Sequence, residues 1–82
     1  MKYIAIRDCI ECVRGNNSCY GNPTYIFKFD DGTEVTTADD YAFVYGLLPC
    51  SSYEESRIIF KYEFKKGKEI MTDFISSKPL KA

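Results

Sequence analysis

Alternating apolar and polar residues predict a first β-hairpin near residue 30. Tyr25–Phe29 carries aromatic residues at alternate positions and precedes an Asp-Asp-Gly segment. Directly opposed residues on paired strands point to the same side of a sheet. A three-residue loop, Asp30–Gly32, therefore pairs Phe27 with Val35, whereas a two-residue loop would pair aromatic with acidic side chains. We predict the three-residue loop, with its glycine in the left-handed conformation of a G1 bulge.

The same pattern recurs in the second half of the chain. Ile58–Phe64 alternates apolar and polar residues and is followed by Lys-Lys-Gly. By analogy with the first hairpin, we predict a three-residue loop over Lys65–Gly67. This register places Glu63 opposite Glu69, a like-charge pair that neighbouring lysines would moderate.

A short helix is predicted between the two hairpins. Thr37 followed three residues later by Asp40 resembles a capping box. Pro49 disfavours helical geometry at the residue before it and ends the segment, while Gly46 weakens it. One helical stripe contains Tyr41, Val44, Tyr45 and Leu48.

These elements predict a single α+β domain over residues 1–76, with residues 77–82 as a flexible C-terminal tail. A first strand over residues 2–13 places Ile4, Ile6, Ile10 and Cys12 on one face. The predicted sheet is antiparallel, has four to five strands and includes both hairpins. The short helix packs on it.

Composition limits the functional classes. The 82 residues, 45% of them hydrophobic, suit one folded domain. A net charge of −1 argues against a nucleic-acid binder that relies on overall positive charge. No apolar run approaches the roughly 20 residues of a membrane span. Charges at Lys2, Arg7 and Asp8 interrupt any apolar leader, so we expect a cytoplasmic protein.

The four cysteines, Cys9, Cys12, Cys19 and Cys50, are candidate metal ligands. A structural zinc site commonly uses four thiolates. However, Cys9 and Cys12 lie three apart in a predicted strand, which directs them to opposite faces. We predict free structural thiols, with no cofactor and no metal. A zinc-stabilised domain remains an alternative, as do disulfides in any of three connectivities.

The residues required for the common catalytic mechanisms are missing. Without histidine, the chain contains neither a Ser-His nor a Cys-His pair, and it lacks the glycine-rich phosphate loops. We therefore predict that the protein is not an enzyme. A second functional hypothesis is a small nucleic-acid-binding domain that uses the Lys61–Lys68 hairpin, in which aromatic and basic residues alternate.

Acidic residues concentrate around the first hairpin and the predicted helix start, and the chain has seven tyrosines, a residue favoured in interfaces. These features predict a non-catalytic protein-binding module, an inhibitor or modulator that occludes a partner's surface, alone or as a homodimer. A basic nucleic-acid-handling enzyme would suit it as partner. Phage or mobile-element anti-defence proteins of the anti-CRISPR type are analogous in size and charge only. The predicted partner-binding residues are Asp30, Asp31, Glu34, Asp39, Tyr41 and Tyr45.

Overall fold

The computed structural model describes residues 1–39 and 42–80, which contain five β-strands. The strands are β1 (Tyr3–Arg14), β2 (Tyr25–Phe29), β3 (Glu34–Thr37), β4 (Ser56–Lys65) and β5 (Lys68–Pro79). Two 3₁₀ turns, Ala42–Gly46 and Cys50–Tyr53, lie between β3 and β4.

The sheet closes into a barrel with the strand order β1-β2-β3-β5-β4, because β1 pairs with both β2 and β4. The predicted wholly antiparallel sheet is wrong, since β3 and β5 pair in parallel. The long connection between β3 and β4 permits this, as parallel strands require a crossover of a dozen or more residues. This connectivity is that of a five-stranded Greek-key barrel of the OB-fold type.

The predicted α-helix is replaced, in the described part of its segment, by the 3₁₀ turn Ala42–Gly46. Thr37, the predicted N-cap, lies instead in β3, and its hydroxyl oxygen accepts a hydrogen bond from the Tyr25 N–H (3.0 Å). That contact holds the end of β3 against β2. Gly46 and the short span between Thr37 and Pro49 leave too few favourable residues for a stable α-helix.

The side chains predicted as one helical stripe do not share a buried face. Val44 is buried, whereas Tyr45 and Leu48 are exposed. Asp40 and Tyr41 lie outside the described residues. The prediction of one helix packed on an α+β sheet is therefore not confirmed; the described residues form a mixed five-stranded sheet with 3₁₀ turns.

The predicted register of the first hairpin is confirmed. Phe27 pairs with Val35 and Lys28 with Glu34. Gly32 has a φ of 87°, in the left-handed region that residues with a Cβ rarely adopt.

The second hairpin differs from its prediction by one residue. Lys65 pairs with Lys68, so the turn contains two residues rather than three. Lys66 (φ 52°) and Gly67 (φ 77°) both have positive φ, as the type I′ turn that matches the twist of β-hairpins requires. The shorter turn places Phe64 opposite Glu69 and Glu63 opposite Ile70, so the predicted facing glutamates are separated. Two register irregularities lie farther along β4.

The interior is lined by side chains from all five strands and the second 3₁₀ turn. Its buried members are Cys9, Cys12, Tyr25, Phe27, Phe29, Val35, Tyr53, Ile58, Phe60 and Met71. Phe29 and Phe60 stack with ring centroids 5.5 Å apart and 5° between their planes. Half of these buried residues are thus aromatic, and the stacked pair joins β2 to β4 across the interior.

An ion pair closes one end of this interior. The Arg7 guanidinium donates to both carboxylate oxygens of Glu69, at 3.0 and 2.7 Å. It also lies 5.2–5.6 Å from the ring centroids of Phe29, Phe60 and Tyr62. The hydrogen bonds and charge of Glu69 raise the pKa of Arg7 above its ordinary value.

The predicted common face of Ile4, Ile6, Ile10 and Cys12 on β1 is wrong for Cys12. Ile4, Ile6 and Ile10 are exposed, whereas Cys9 and Cys12 are buried. The pairing of β1 with β2 shifts register at Ile10, and this bulge allows two cysteines three residues apart to face the same interior. Small inward residues on β1 leave room for the rings of the opposing strands.

The strand β5 extends to Pro79, past residue 77 where the predicted tail begins. The Leu80 N–H donates to the Glu55 carbonyl (3.0 Å). Lys81 and Ala82 lie outside the described residues. Within the described ranges, none of the helical segments has the length and apolar character needed to cross a membrane.

Candidate functional site

Two of the predicted partner-binding residues, Asp30 and Asp31, lie at the exposed β2–β3 turn. The Asp31 carboxylate accepts hydrogen bonds from the Thr33 hydroxyl (2.6 Å) and N–H (2.9 Å), and these lower the pKa of Asp31. The Asp30 N–H donates to the Asp8 carbonyl (3.1 Å). Asp8, Asp30 and Asp31 therefore form one group, which we call the acidic tip.

The other predicted carboxylates, Glu34 and Asp39, are not part of the acidic tip. Glu34 borders a depression that Lys68 also lines. Asp39 follows β3, and its carbonyl accepts hydrogen bonds from the Ser18 hydroxyl (2.8 Å) and the Asn22 amide (3.1 Å). Because β3 lies beside β5 in the closed barrel, both carboxylates lie next to the basic hairpin.

Of the two predicted partner-binding tyrosines, Tyr45 lies within the described residues. Tyr45 is 65% exposed, and its hydroxyl donates to the Gly21 carbonyl (3.2 Å). It joins the first 3₁₀ turn to the loop that follows β1. Tyr41 is outside the described residues.

The outer surface of β1, β4 and β5 carries isoleucines, two of which were predicted to share one face of β1. Ile4 and Ile6 are 66% and 63% exposed. Ile6 is directly opposite the half-buried Ile59 on β4, and Ile75 on β5 is 47% exposed. We call Ile4, Ile6, Ile59 and Ile75 the isoleucine face. Alternation correctly predicts that Ile4 and Ile6 share one side of β1, but it does not reveal which side faces solvent.

The isoleucine face is continuous with the acidic tip. A shallow cleft of about 310 Å³ is lined by Ile6 together with Asp8, Asp30 and Asp31. Arg57 borders the same cleft and pairs with Asp8 through a 2.9 Å contact. An apolar patch therefore adjoins a partly neutralised acidic rim.

A separate groove of about 430 Å³ lies beside the β4–β5 hairpin. Lys65, Lys66 and Lys68 line it together with Thr36 and Asp39. We call it the lysine groove. The lysines belong to the segment that sequence reasoning proposed for nucleic acid, so the structure brings these three together around one concave surface.

The aromatic residues of that segment do not join the lysine groove. Phe60 is buried in the core, and Tyr62 is half-buried beneath Arg7. The exposed Phe64 packs with its ring centroid 5.8 Å from Tyr3. The predicted row of base-stacking rings is therefore absent from the groove lining as described.

The four cysteines are free: two are buried, Cys50 is half-buried and Cys19 is exposed. Burial raises the pKa of Cys9 to about 11. Burial, followed by a hydrogen bond with Cys50, raises the pKa of Cys12 well above its ordinary range. Across the described residues, no group of three or more metal-binding side chains is placed to hold an ion, so the zinc-stabilised alternative has no ligand cluster there.

No protein-family model, curated protein or solved structure matches this chain. The strand order therefore defines the architecture of the barrel but does not assign the protein to a family. Because one architecture hosts many unrelated functions, functional inference here depends on the chemistry of the two surfaces.

Proposed function

We propose that the protein is a non-catalytic binding module that covers part of a partner protein's surface through the isoleucine face and the acidic tip. The observation that carries this proposal is the placement of Ile4, Ile6, Ile59 and Ile75 on one outer surface of a barrel whose core is already filled. Exposed contiguous apolar patches with polar rims are typical of protein interaction sites.

Burial of these side chains can supply substantial binding energy. Burying one isoleucine fully is worth about 1.5–3 kcal/mol. The isoleucines lie on paired strands, and their β-branched side chains have few rotamers to lose on binding. The patch is thus already ordered for contact.

A stable protein interface needs a larger contact area than the four isoleucines provide. A stable protein interface covers about 800 Å² on each partner, which is roughly a sixth of the 5151 Å² accessible surface here. Adding the acidic tip extends the contact surface in one direction and provides a charged rim. Such a rim favours a basic partner and accelerates association, an effect that salt weakens.

The nucleic-acid alternative has weaker support. In OB-fold barrels the β2–β3 face commonly binds oligonucleotides, frequently by stacking bases on aromatic rings. Here the outward positions of that face are Ile26, Lys28, Glu34 and Thr36. They lack an aromatic ring, and Lys28 pairs with Glu11 at 3.2 Å.

A paired variant tests the isoleucine face. We expect Ile4→Thr/Ile6→Thr to lose a protein that the wild type retains from a cell lysate, because threonine preserves β-branching while reducing apolar area. Ile10→Thr is the matched control, since Ile10 is 55% exposed on the same strand but outside the isoleucine face. Thermal unfolding checks that each variant is folded. Equal retention by all three proteins would refute the proposal.

A second variant tests the acidic tip. Asp30→Lys/Asp31→Asn removes negative charge while leaving residue 31 an acceptor for Thr33. We expect a slower association rate with the retained partner and a weaker dependence on salt, measured by surface plasmon resonance. Glu34→Gln is the control outside the tip. Concentration-dependent self-association that the isoleucine variants abolish would assign the face to a second copy of the chain.

A further inference from the structure

We propose that the lysine groove binds the phosphate group of a compact anionic ligand. Its volume of about 430 Å³ falls within the range of small-molecule sites. Lys65, Lys66 and Lys68 line it from the β4–β5 hairpin, and Thr36 adds a hydroxyl from β3. Ammonium and hydroxyl groups converging on one concavity are suited to phosphate oxygens.

The described lining has an excess of positive charge. It contains three lysines and one carboxylate, Asp39. Glu69, which could otherwise neutralise the hairpin, is engaged by Arg7. The ion pairs among the described residues include neither Lys66 nor Lys68.

The turn geometry gives an independent reason to expect an anion. The two-residue turn makes Lys65 and Lys68 direct cross-strand partners. Directly opposed residues have Cβ atoms about 4.5–5.5 Å apart, and like charges at that spacing destabilise a hairpin. Among the ion pairs of the described residues, a long contact of 3.8 Å between Lys65 and Glu63 is the one that offsets this repulsion. An anion bound between the ammonium groups would remove it.

The groove also fits the remainder of a small phosphorylated molecule. Ile70 lines it as a half-buried apolar residue, beside the hydroxyl-bearing Thr36. This combination of a charged end and an apolar wall is typical of small-ligand sites. A mononucleotide is therefore a suitable probe of the ligand class.

Calorimetric titration with inorganic phosphate, adenosine monophosphate and a short single-stranded oligonucleotide tests the proposal. We expect weak binding of phosphate and tighter binding of the mononucleotide. Lys66→Gln/Lys68→Gln should weaken both by about tenfold or more, since tenfold is only about 1.4 kcal/mol and charge-assisted contacts are lost. Lys78→Gln is the control, because it removes one lysine charge from the exposed far end of β5, opposite Arg57. Thermal unfolding confirms that each variant is folded.

The outcomes are distinct from those of the protein-binding proposal. Ile4→Thr/Ile6→Thr should leave mononucleotide binding unchanged, because the isoleucine face lies outside the groove. Absence of phosphate and mononucleotide binding, or an equal loss in Lys78→Gln, would overturn the inference. Binding of the oligonucleotide alone would also overturn it and favour the nucleic-acid interface.

Discussion

The barrel interior is closed at its two ends by different chemistry. At one end, Arg7 and Glu69 form a bidentate ion pair above aromatic rings, with side-chain exposures of 17% and 16%. At the other, the buried thiols of Cys9 and Cys12 lie near Cys50, which bears on the pKa of both. One end depends on paired charge, and the other on groups that remain neutral.

Tyrosine hydroxyls complete the neutral end. Tyr53 accepts a hydrogen bond from the Leu48 N–H (2.8 Å), and Tyr25 donates to the Leu48 carbonyl (3.1 Å). These contacts attach the chain between the two 3₁₀ turns to the barrel. Losing one neutral hydrogen bond lowers the free energy of unfolding by about 1 kcal/mol. Removing one partner of a buried ion pair lowers it by several kcal/mol, because the other charge is left buried without a counter-charge. The two ends should therefore respond very differently to single substitutions.

The largest expected effect is at the charged end. Arg7→Met should lower the free energy of unfolding by about 3 kcal/mol, because it leaves the Glu69 carboxylate largely buried without its partner. Urea denaturation measures this change. The guanidinium also loses its position over three rings.

The double variant Arg7→Met/Glu69→Met separates stranded charge from lost packing. It should be more stable than Arg7→Met, since two apolar side chains of similar volume replace both charges. If the double variant is instead less stable than the single one, the ion pair is not what distinguishes this end.

A smaller effect is expected at the neutral end. Tyr53→Phe should lower the free energy of unfolding by about 1 kcal/mol, because the Leu48 N–H loses its acceptor while the ring remains packed. Tyr45→Phe, which removes an exposed hydroxyl bonded to Gly21, is the control and should change stability less. Equal losses in urea denaturation would show that the Tyr53 contact has no special role.

The two hairpins explain how far sequence predicts this fold. In the first, side-chain matching selects one register, because only the three-residue loop pairs Phe27 with Val35. In the second hairpin, matching the side chains across the strands does not give the observed register. The turn is one residue shorter and places Lys66 in the left-handed region, and the pairing of β4 with β5 contains two irregularities. A non-glycine residue at positive φ and a bulge have only weak local sequence signals.

The predicted helix is not confirmed, and the isoleucine face is not predicted by the sequence, for a related reason. The stripe that includes Val44 and Leu48 fits helical spacing, but spacing does not establish that enough stable turns form. The β1 pattern predicts that Ile4 and Ile6 share a side, yet barrel closure decides that this side is exterior. Closure also brings Glu34 and Asp39 beside the lysines of the β4–β5 hairpin, a long-range arrangement that no local pattern contains.

Alkaline pH should affect the neutral end before the charged end. The pKa of Cys9 is raised from its ordinary value of 9.0 to about 11, so the folded state retains a proton that the unfolded state releases. Stability from this group is complete below about pH 9 and is lost as pH rises through about 11. Burial likewise raises the pKa values of Cys12, Tyr25 and Tyr53, which strengthens the decline.

Urea denaturation between about pH 8 and 11 measures this loss of stability. Cys9→Ala/Cys12→Ala should show a shallower decline than the wild type, whatever its stability at neutral pH. Arg7 remains charged throughout, because its hydrogen bonds with Glu69 raise its pKa above the ordinary value. Identical slopes for the two proteins would contradict a thiol contribution.

Thiol reactivity of the wild type at neutral pH gives a further comparison of the two ends without alkaline destabilisation. Iodoacetamide should modify the exposed Cys19 first and the half-buried Cys50 next, while Cys9 and Cys12 react only when the barrel opens. Mass spectrometry of timed samples gives each rate. If global unfolding exposes the buried pair, Arg7→Met should accelerate their modification roughly 100-fold, the ratio that about 3 kcal/mol implies. An unchanged rate in Arg7→Met would mean that the neutral end opens locally, independently of the charged end.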